Sequence, residues 1–386
     1  MRFVREDSEV SIKVMQIIAR MNVGGPAVIV ADLMRGLKPE KFNQILVTGF
    51  CDDDEADYLE TVARDVSATR IAGLGRSISL VADLRAFFAL VAMIKREQPD
   101  VIHTHTAKAG VLGRVASIVA GAKAVRVHTF HGHLLHGYFT GWKTALVIAI
   151  EKYLAKRTHF LIAVGNQVRD DLLAVGIGTQ AKFCTFFPGL PAPHTPSKAQ
   201  CRNELGLDAS TIYCTFVGRL TQIKRPDRLL DIAQLMKQKR INVQFLIAGE
   251  GDLFQASLER VKSEGLPVTF LGWRNDIDLI FAASDIAILT SDNEGIPLTL
   301  IQAAQAGLAI VAPRVGSIAD IVVDGENGFL TSTDPAEMAD SLARLVNDKA
   351  LREKLGVSGR ERATELFSLA KSLDDHAKLY EFSQHK

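Results

Sequence analysis

The stretch SDNEGIPLTLIQAAQAG, Ser291 to Gly307, decides how this chain is read. The apolar run Ile286–Leu289 before it reads as a buried strand ending in a polar loop. Glu294 then stands just before Gly295, Ile296 and Pro297, and an alanine-rich helix follows. Pro297 suits the first turn of that helix, where its missing N–H costs nothing. The amides of Leu298 and Thr299 are then left free, and with the helix dipole they make an anion site. A carboxylate beside an anion site fits a ligand joining a phosphate to a polar group, as in a sugar nucleotide. An ordinary strand–loop–helix connection with a solvated glutamate fits the same residues.

Upstream, YCTFVGRLTQIKRPDRLL reads as a strand (Ile212–Val217), a turn at Gly218, and a helix over Pro226–Met236. Between them lie Arg219, a planar fork for paired phosphate oxygens, and Lys224, a mobile point charge. Either cation alone reads as a solvated surface residue; together, at the carboxyl end of a strand, they read as a diphosphate clamp. In VQFLIAGEGD the strand Val243–Ala248 ends at Gly249 and Gly251, where absent side chains let a ligand approach the backbone. A lone Gly-x-Gly is equally a plain strand-to-helix turn. The next segment adds a strand, then Gly272, Trp273 and Arg274, a short helix and another strand. Four strand ends with polar tips describe half of a doubly wound sheet that binds its ligand along one edge.

The ordered set VGRL…K, AGEG, FLGW, EGIPLTLIQAAQAG and VGSIADIVVDGENGFL resembles the nucleotide-sugar domain of retaining GT-B glycosyltransferases of family 4. The similarity covers nearly the whole chain. It implies an α/β fold of two Rossmann-like doubly wound domains facing a central cleft. In that family two glutamates eight positions apart face the donor, one on the transferred sugar and one on the ribose. Glu294 matches the first, and the second position is Gln302, a departure from the pattern. An amide still hydrogen-bonds a diol, so nucleotide binding is kept. Replacing Gln302 by Glu is expected to be tolerated and to tighten UDP binding.

The first half carries matching cues. The strand Ile12–Ala19 runs into Gly24, Gly25 and Pro26 and a helix over Ala27–Leu37. Gly24 and Gly25 resemble the family's glycine loop against donor phosphate and acceptor. A further strand ends in His103 and His105, and AVRVHTFHGHLLHGYF adds His128, His131, His133 and His136. Such crowding first suggests a metal, but no Asp, Glu or Cys lies within the stretch to complete a zinc site. The resemblance places His131 near the transferred sugar, with His133 a nearby acceptor-side candidate; His103 and His105 read equally as strand-end acceptor contacts, His105 foremost, or as packing histidines, and His128, within its strand, reads as structural.

At 386 residues the chain fits two domains. The boundaries expected are 1–190 for the acceptor side, with a last helix near 368–386 returning to it, and 191–367 for the donor. FFPGLPAPHTPSKAQ, with its four prolines, marks the linker. No apolar run approaches the roughly 18 residues of a spanning helix. The opening residues are mixed in charge, so no secretory leader is expected. Cys51, Cys184, Cys201 and Cys214 form no C-x-x-C and read as reduced thiols of a cytoplasmic protein. CDDDEAD reads as a solvated loop rather than a metal triplet. Residues 64–182 carry 16 Lys/Arg against 7 Asp/Glu, or +9, although the whole chain is only +1. The helices TGWKTALVIAIEKYLAKR and LVADLRAFFALVAMIKR fall there, as a face for an anionic membrane or as core helices with solvated charges. Nucleic acid is a poor fit, since aromatic and basic residues are not interleaved in a binding module.

The combined reading is a retaining, metal-independent hexosyltransferase with no cofactor beyond its nucleotide-sugar co-substrate. The donor is expected to be a UDP-linked hexose or N-acetylhexosamine, and the acceptor a lipid-linked saccharide in cell-surface polysaccharide synthesis. A sugar-nucleotide 2-epimerase on the same fold and an inactive partner subunit remain open alternatives.

Overall fold

The computed structural model describes residues 11–53, 55–132, 142–193 and 196–383, with the side chains of 142 and 143 set aside. His133 and His136 therefore lie outside the described residues. The chain divides into two compact units, one running to Phe187 and resuming at Ser372, the other spanning Pro188–Lys371.

The first unit is a seven-stranded parallel sheet. Its strands are β1 (Ile12–Ile18), β2 (Phe42–Thr48), β3 (Thr69–Arg70), β4 (Val101–His105), β5 (Val125–Phe130), β6 (Phe160–Ala163) and β7 (Phe183–Thr185). They lie in the order β3-β2-β1-β4-β5-β6-β7. Burial on both faces explains the near-continuous apolar strands. Met15 and Ile17 pack with Leu90, Met93 and Ile94 of the helix Leu80–Glu97. On the opposite face Val14 packs with Ile29 and Leu33 of the helix Gly25–Gly36, and with Leu379 and Tyr380 of the helix Leu369–Ser383.

The second unit has a six-stranded parallel sheet. Its strands are β8 (Tyr213–Val217), β9 (Gln244–Ala248), β10 (Val268–Gly272), β11 (Ile286–Ile288), β12 (Ala309–Pro313) and β13 (Gly328–Thr331). Their order is β10-β9-β8-β11-β12-β13. Both sheets reverse strand order once, at β1/β4 and at β8/β11. At such a point the two crossovers leave in opposite directions and the strand ends between them stay uncovered.

The basic, apolar helix of the sequence spans Trp142–Arg157. Its inward face carries Glu151, Leu154 and Ala155, all buried, while Leu146, Ile150 and Tyr153 are exposed. Glu151 explains this orientation. Its Oε1 and Oε2 accept bonds of 2.7 and 2.8 Å from Nη2 of Arg114, itself on the helix Ala107–Val119. Both partners are almost fully buried. Arg114 Nε donates to Gly110 O at 2.6 Å, so the guanidinium is held from two sides. Removing one partner of such a pair strands a buried charge. Glu151→Ala should therefore lower unfolding stability by about 3–5 kcal/mol in a denaturant titration, far beyond a surface substitution.

Candidate active site

In the second unit, the loops after β8 and β11 bring Lys224 and Glu294 together. Lys224 Nζ donates to Glu294 Oε1 at 2.5 Å, and Ser291 Oγ donates to the same oxygen at 2.5 Å. Glu294 is mostly buried, and neither bond uses its Oε2. Thr290 Oγ1 donates to the carbonyls of Lys224 and Arg225 at 2.9 and 3.2 Å, locking the lysine turn to the end of β11. Arg225 and Arg228 both pair with Asp292, bracing the same turn. Arg219 is exposed, and its guanidinium has no hydrogen-bond or ion-pair partner among the described residues. The expected pair of clamp cations is thus divided: Arg219 is open to an anion, whereas Lys224 is held on Glu294.

The helix after Glu294 starts at Leu298, and Pro297 is its N-cap (φ −79°, ψ 108°) rather than a residue of its first turn. The first helical bond is Leu300 N–H to Pro297 O at 3.0 Å, so the Leu298 and Thr299 amides precede the ladder. No side chain among the described residues caps this end. Gly295 and Ile296, half-buried, lead into it. Gly316, at φ +51°, is what lets the next loop cross: a Cβ there would lie 1.8 Å from Glu294 O. That loop returns a bond, Ser317 N–H to Gly295 O at 3.2 Å.

Four residues differ from expectation. Gly249 and Gly251 are glycines because the chain itself approaches: a Cβ would meet Gly218 O at 2.1 Å and Leu220 O at 2.5 Å. Trp273 is exposed at the end of β10, the sheet's edge strand, removed from β8/β11 by β9. Gln302 lies beside the Asp278 carboxyl group. A glutamate at 302 would face Asp278 with a like charge, so Gln302→Glu is now expected to be unfavourable instead of tightening UDP binding.

In the first unit, Gly24 precedes its helix in an extended conformation (φ 168°) with no side-chain cap, and Gly25 opens the helix. A Cβ at Gly24 would meet only Asn22 O, at 3.8 Å. The fold among the described residues leaves space there. Beside it, after β4, Thr106 adopts φ 63°, ψ 159°, a region costing a branched residue about 1–3 kcal/mol. Its Oγ1 accepts from Ala19 N–H at 3.3 Å and so ties the ends of β1 and β4 together.

The histidines form a chain rather than a metal cluster. His105 Nδ1 lies 2.9 Å from His131 Nε2, and His105 Nε2 lies 2.9 Å from Gln16 Oε1. Both nitrogens of His105 are thus used inside the unit, which leaves none for an acceptor. His103 bonds Tyr380 and Thr129, and His128 bonds Thr104, each within the core. His131 Nδ1 is buried and unpartnered among the described residues. Burial holds His103, His105 and His128 well below the ordinary histidine range and pushes His131 down to about 3. Among the described residues no three ligating side chains gather around a point.

Sequence reasoning missed Ser291, Thr290, Gln16 and Tyr380. Gln16, a polar residue in an otherwise apolar strand, was the visible signal.

Comparison with known proteins shows the family. Residues 24–186 match the glycosyl transferase 4-like domain, and 211–348 match glycosyl transferases group 1. An Escherichia coli UDP-Gal:alpha-D-GlcNAc-diphosphoundecaprenol alpha-1,3-galactosyltransferase is 30% identical over 84% of this chain and 85% of its own. The chain belongs to the group 1 glycosyltransferases, of the GT-B, family 4 type. The Staphylococcus aureus capsular polysaccharide glycosyltransferase CapM is 24% identical over 81% of this chain and 84% of its own. Anabaena HepE, solved with UDP and glucose, superposes with TM-score 0.81 at 20% identity, covering 96% of this chain and 99% of its own.

The neutral histidines give this glycosyltransferase an acid weakness. Their folded-state pKa values lie below the unfolded value near 6.5, so the unfolded chain binds more protons as pH falls. Their contribution is complete above about pH 6.5 and is lost on going below it. Between about pH 7.5 and 5.5 each should cost about 1.4 kcal/mol, read as a falling melting temperature that His105→Asn makes less steep.

Proposed function

We propose that the protein is a retaining, metal-independent glycosyltransferase that moves a UDP-linked hexose or N-acetylhexosamine to a lipid-linked saccharide. The observation that carries this is Glu294, fixed through one oxygen beside the unpaired Leu298 and Thr299 amides. The diphosphate would lie on those amides, on Arg219 and on the Gly218 turn, with Lys224 turning from Glu294 toward it. Glu294 would hold the sugar hydroxyls, and His131 would accept a bond from another hydroxyl. The bond from the anomeric carbon to phosphate breaks as the acceptor oxygen bonds the same face. The departing phosphate oxygen takes the acceptor's proton, and the cationic surroundings stabilise its charge. Cell-surface polysaccharide synthesis, the context of CapM, and the diphosphoundecaprenol in the E. coli relative's name support the lipid-linked acceptor.

Arg219→Ala should weaken UDP and UDP-sugar alike, by about 1.5–3 kcal/mol in calorimetry, through loss of a charge-assisted bond. Glu294→Gln should nearly abolish turnover while UDP binds at least as well, because Lys224 loses its counter-charge. Unchanged UDP affinity in the first variant, or normal turnover in the second, would overturn the assignment.

A lipid-linked acceptor calls for a cytoplasmic enzyme resting on the inner membrane face, and no described helix is long and apolar enough to cross a bilayer. The outer faces of Leu80–Glu97 and Trp142–Arg157 support docking. Ile78, Leu80 and Phe88 are 81%, 77% and 63% exposed, and Leu146, Ile150 and Tyr153 are exposed with Lys152 and Lys156 alongside. The protein should co-sediment with anionic but not neutral vesicles, and salt should release it. Leu80→Glu with Phe88→Glu should abolish sedimentation yet spare activity on a short, soluble acceptor.

A further inference from the structure

The polar groups buried beneath β1, β4 and β5 form one continuous chain. From His131 Nε2 it runs to His105 Nδ1 at 2.9 Å, and from His105 Nε2 to Gln16 Oε1 at 2.9 Å. Gln16 Nε2 donates to Tyr380 Oη at 3.2 Å, and Tyr380 Oη lies 2.6 Å from His103 Nδ1. His103 Nε2 then meets Thr129 Oγ1 at 2.7 Å. Gln16, His103, His105 and Tyr380 are fully buried, so no bulk water substitutes for a missing partner.

A neutral imidazole has one N–H and one bare nitrogen, so each member of the chain dictates the next. Gln16 presents its carbonyl to His105 and its amide to Tyr380. His105 must then carry its proton on Nε2, which leaves Nδ1 bare. His131 must donate to that nitrogen from Nε2, and so its own Nδ1 is bare. In the other direction Tyr380 accepts from Gln16 and donates to His103 Nδ1, and His103 donates to Thr129. The opposite polarity would leave a buried, unpartnered N–H on His131 before any ligand arrives, and orphaned buried N–H groups are the rarer defect. The rings of His103 and His105 lie 4.1 Å apart and those of His105 and His131 5.1 Å apart, which disfavours an added proton on any of them.

We propose that Gln16 and Tyr380 are positioning residues that fix the tautomer of His131, so that its buried Nδ1 faces substrate as a hydrogen-bond acceptor only. It would then take a sugar hydroxyl and disfavour a group offering only a lone pair, such as an ether or carbonyl oxygen. The role of His131 toward sugar rests on the proposed function; the tautomer does not. His131 is held neutral by burial, with its pKa pushed down to about 3, so the chain keeps one polarity across the working pH range.

The test is a long-range proton–nitrogen spectrum of the full chain labelled with nitrogen-15 histidine, with His131 assigned by loss of its signals in His131→Gln. The wild type should show His131 protonated on Nε2 and bare on Nδ1. Tyr380→Phe frees the Gln16 amide to turn over and should mix the His131 tautomers. In that variant kcat should fall about tenfold, the loss of one hydrogen bond, with little change in KM for the donor. Where Tyr380→Phe does not fold, Gln16 serves instead. Gln16→Leu should release the His131 tautomer. A wild-type His131 protonated on Nδ1, or a tautomer unmoved by Tyr380→Phe or by Gln16→Leu, overturns the proposal. The predicted tautomers in a protein that transfers no sugar would sink the function and leave the chain of bonds standing.

Discussion

Everything functional here hangs on strand order. A parallel sheet buries both faces under helices, so a ligand can reach it only where consecutive crossovers diverge. Each sheet has one such point, β1/β4 and β8/β11. The chain spends its unusual residues there. Around β1/β4 lie the open Gly24 turn, strained Thr106 and the end of the histidine chain. Around β8/β11 lie Lys224, Ser291 and Glu294. A residue such as Thr106 would relax elsewhere in the sheet, and it persists because its side chain ties β1 to β4.

The Lys224–Glu294 pair is a weak source of stability, because two charges give up much of their hydration to meet. Its value is geometric. Ser291 and Lys224 fix the same oxygen of Glu294, so the carboxylate is oriented before a sugar arrives. Thr290 and the arginines on Asp292 then keep the lysine turn from drifting. Gly316 belongs to the same device, since any side chain there would push on the backbone of Glu294.

The sequence made the architecture legible because parallel strands under two helix layers read as apolar runs ending at glycines. Strand limits differed from expectation by only a residue or so, as at Ile12–Ile18 and Ile286–Ile288. Glu294, Lys224 and the free helix amides were legible as well, since they sit at the ends of recognisable strands. What stayed hidden was pairing across long separations. Nothing local says that Gln302 lies beside Asp278, or that Tyr380 reaches Gln16 from a distant helix. The glycines at 249 and 251 show the same limit: their type was visible, but the crowding carbonyls belong to a neighbouring loop.

The two units hold their polar residues differently. The second holds full charges, Arg219, Lys224 and Glu294, as the proposed diphosphate leaving group would require. In the first, burial keeps the described histidines of the bonded chain neutral. On the proposed function, a bare His131 nitrogen would hold a sugar hydroxyl without adding positive charge. The acid sensitivity of the first unit is the thermodynamic counterpart of that neutrality. Burial that keeps protons off His131 in the folded state leaves the unfolded chain free to bind them.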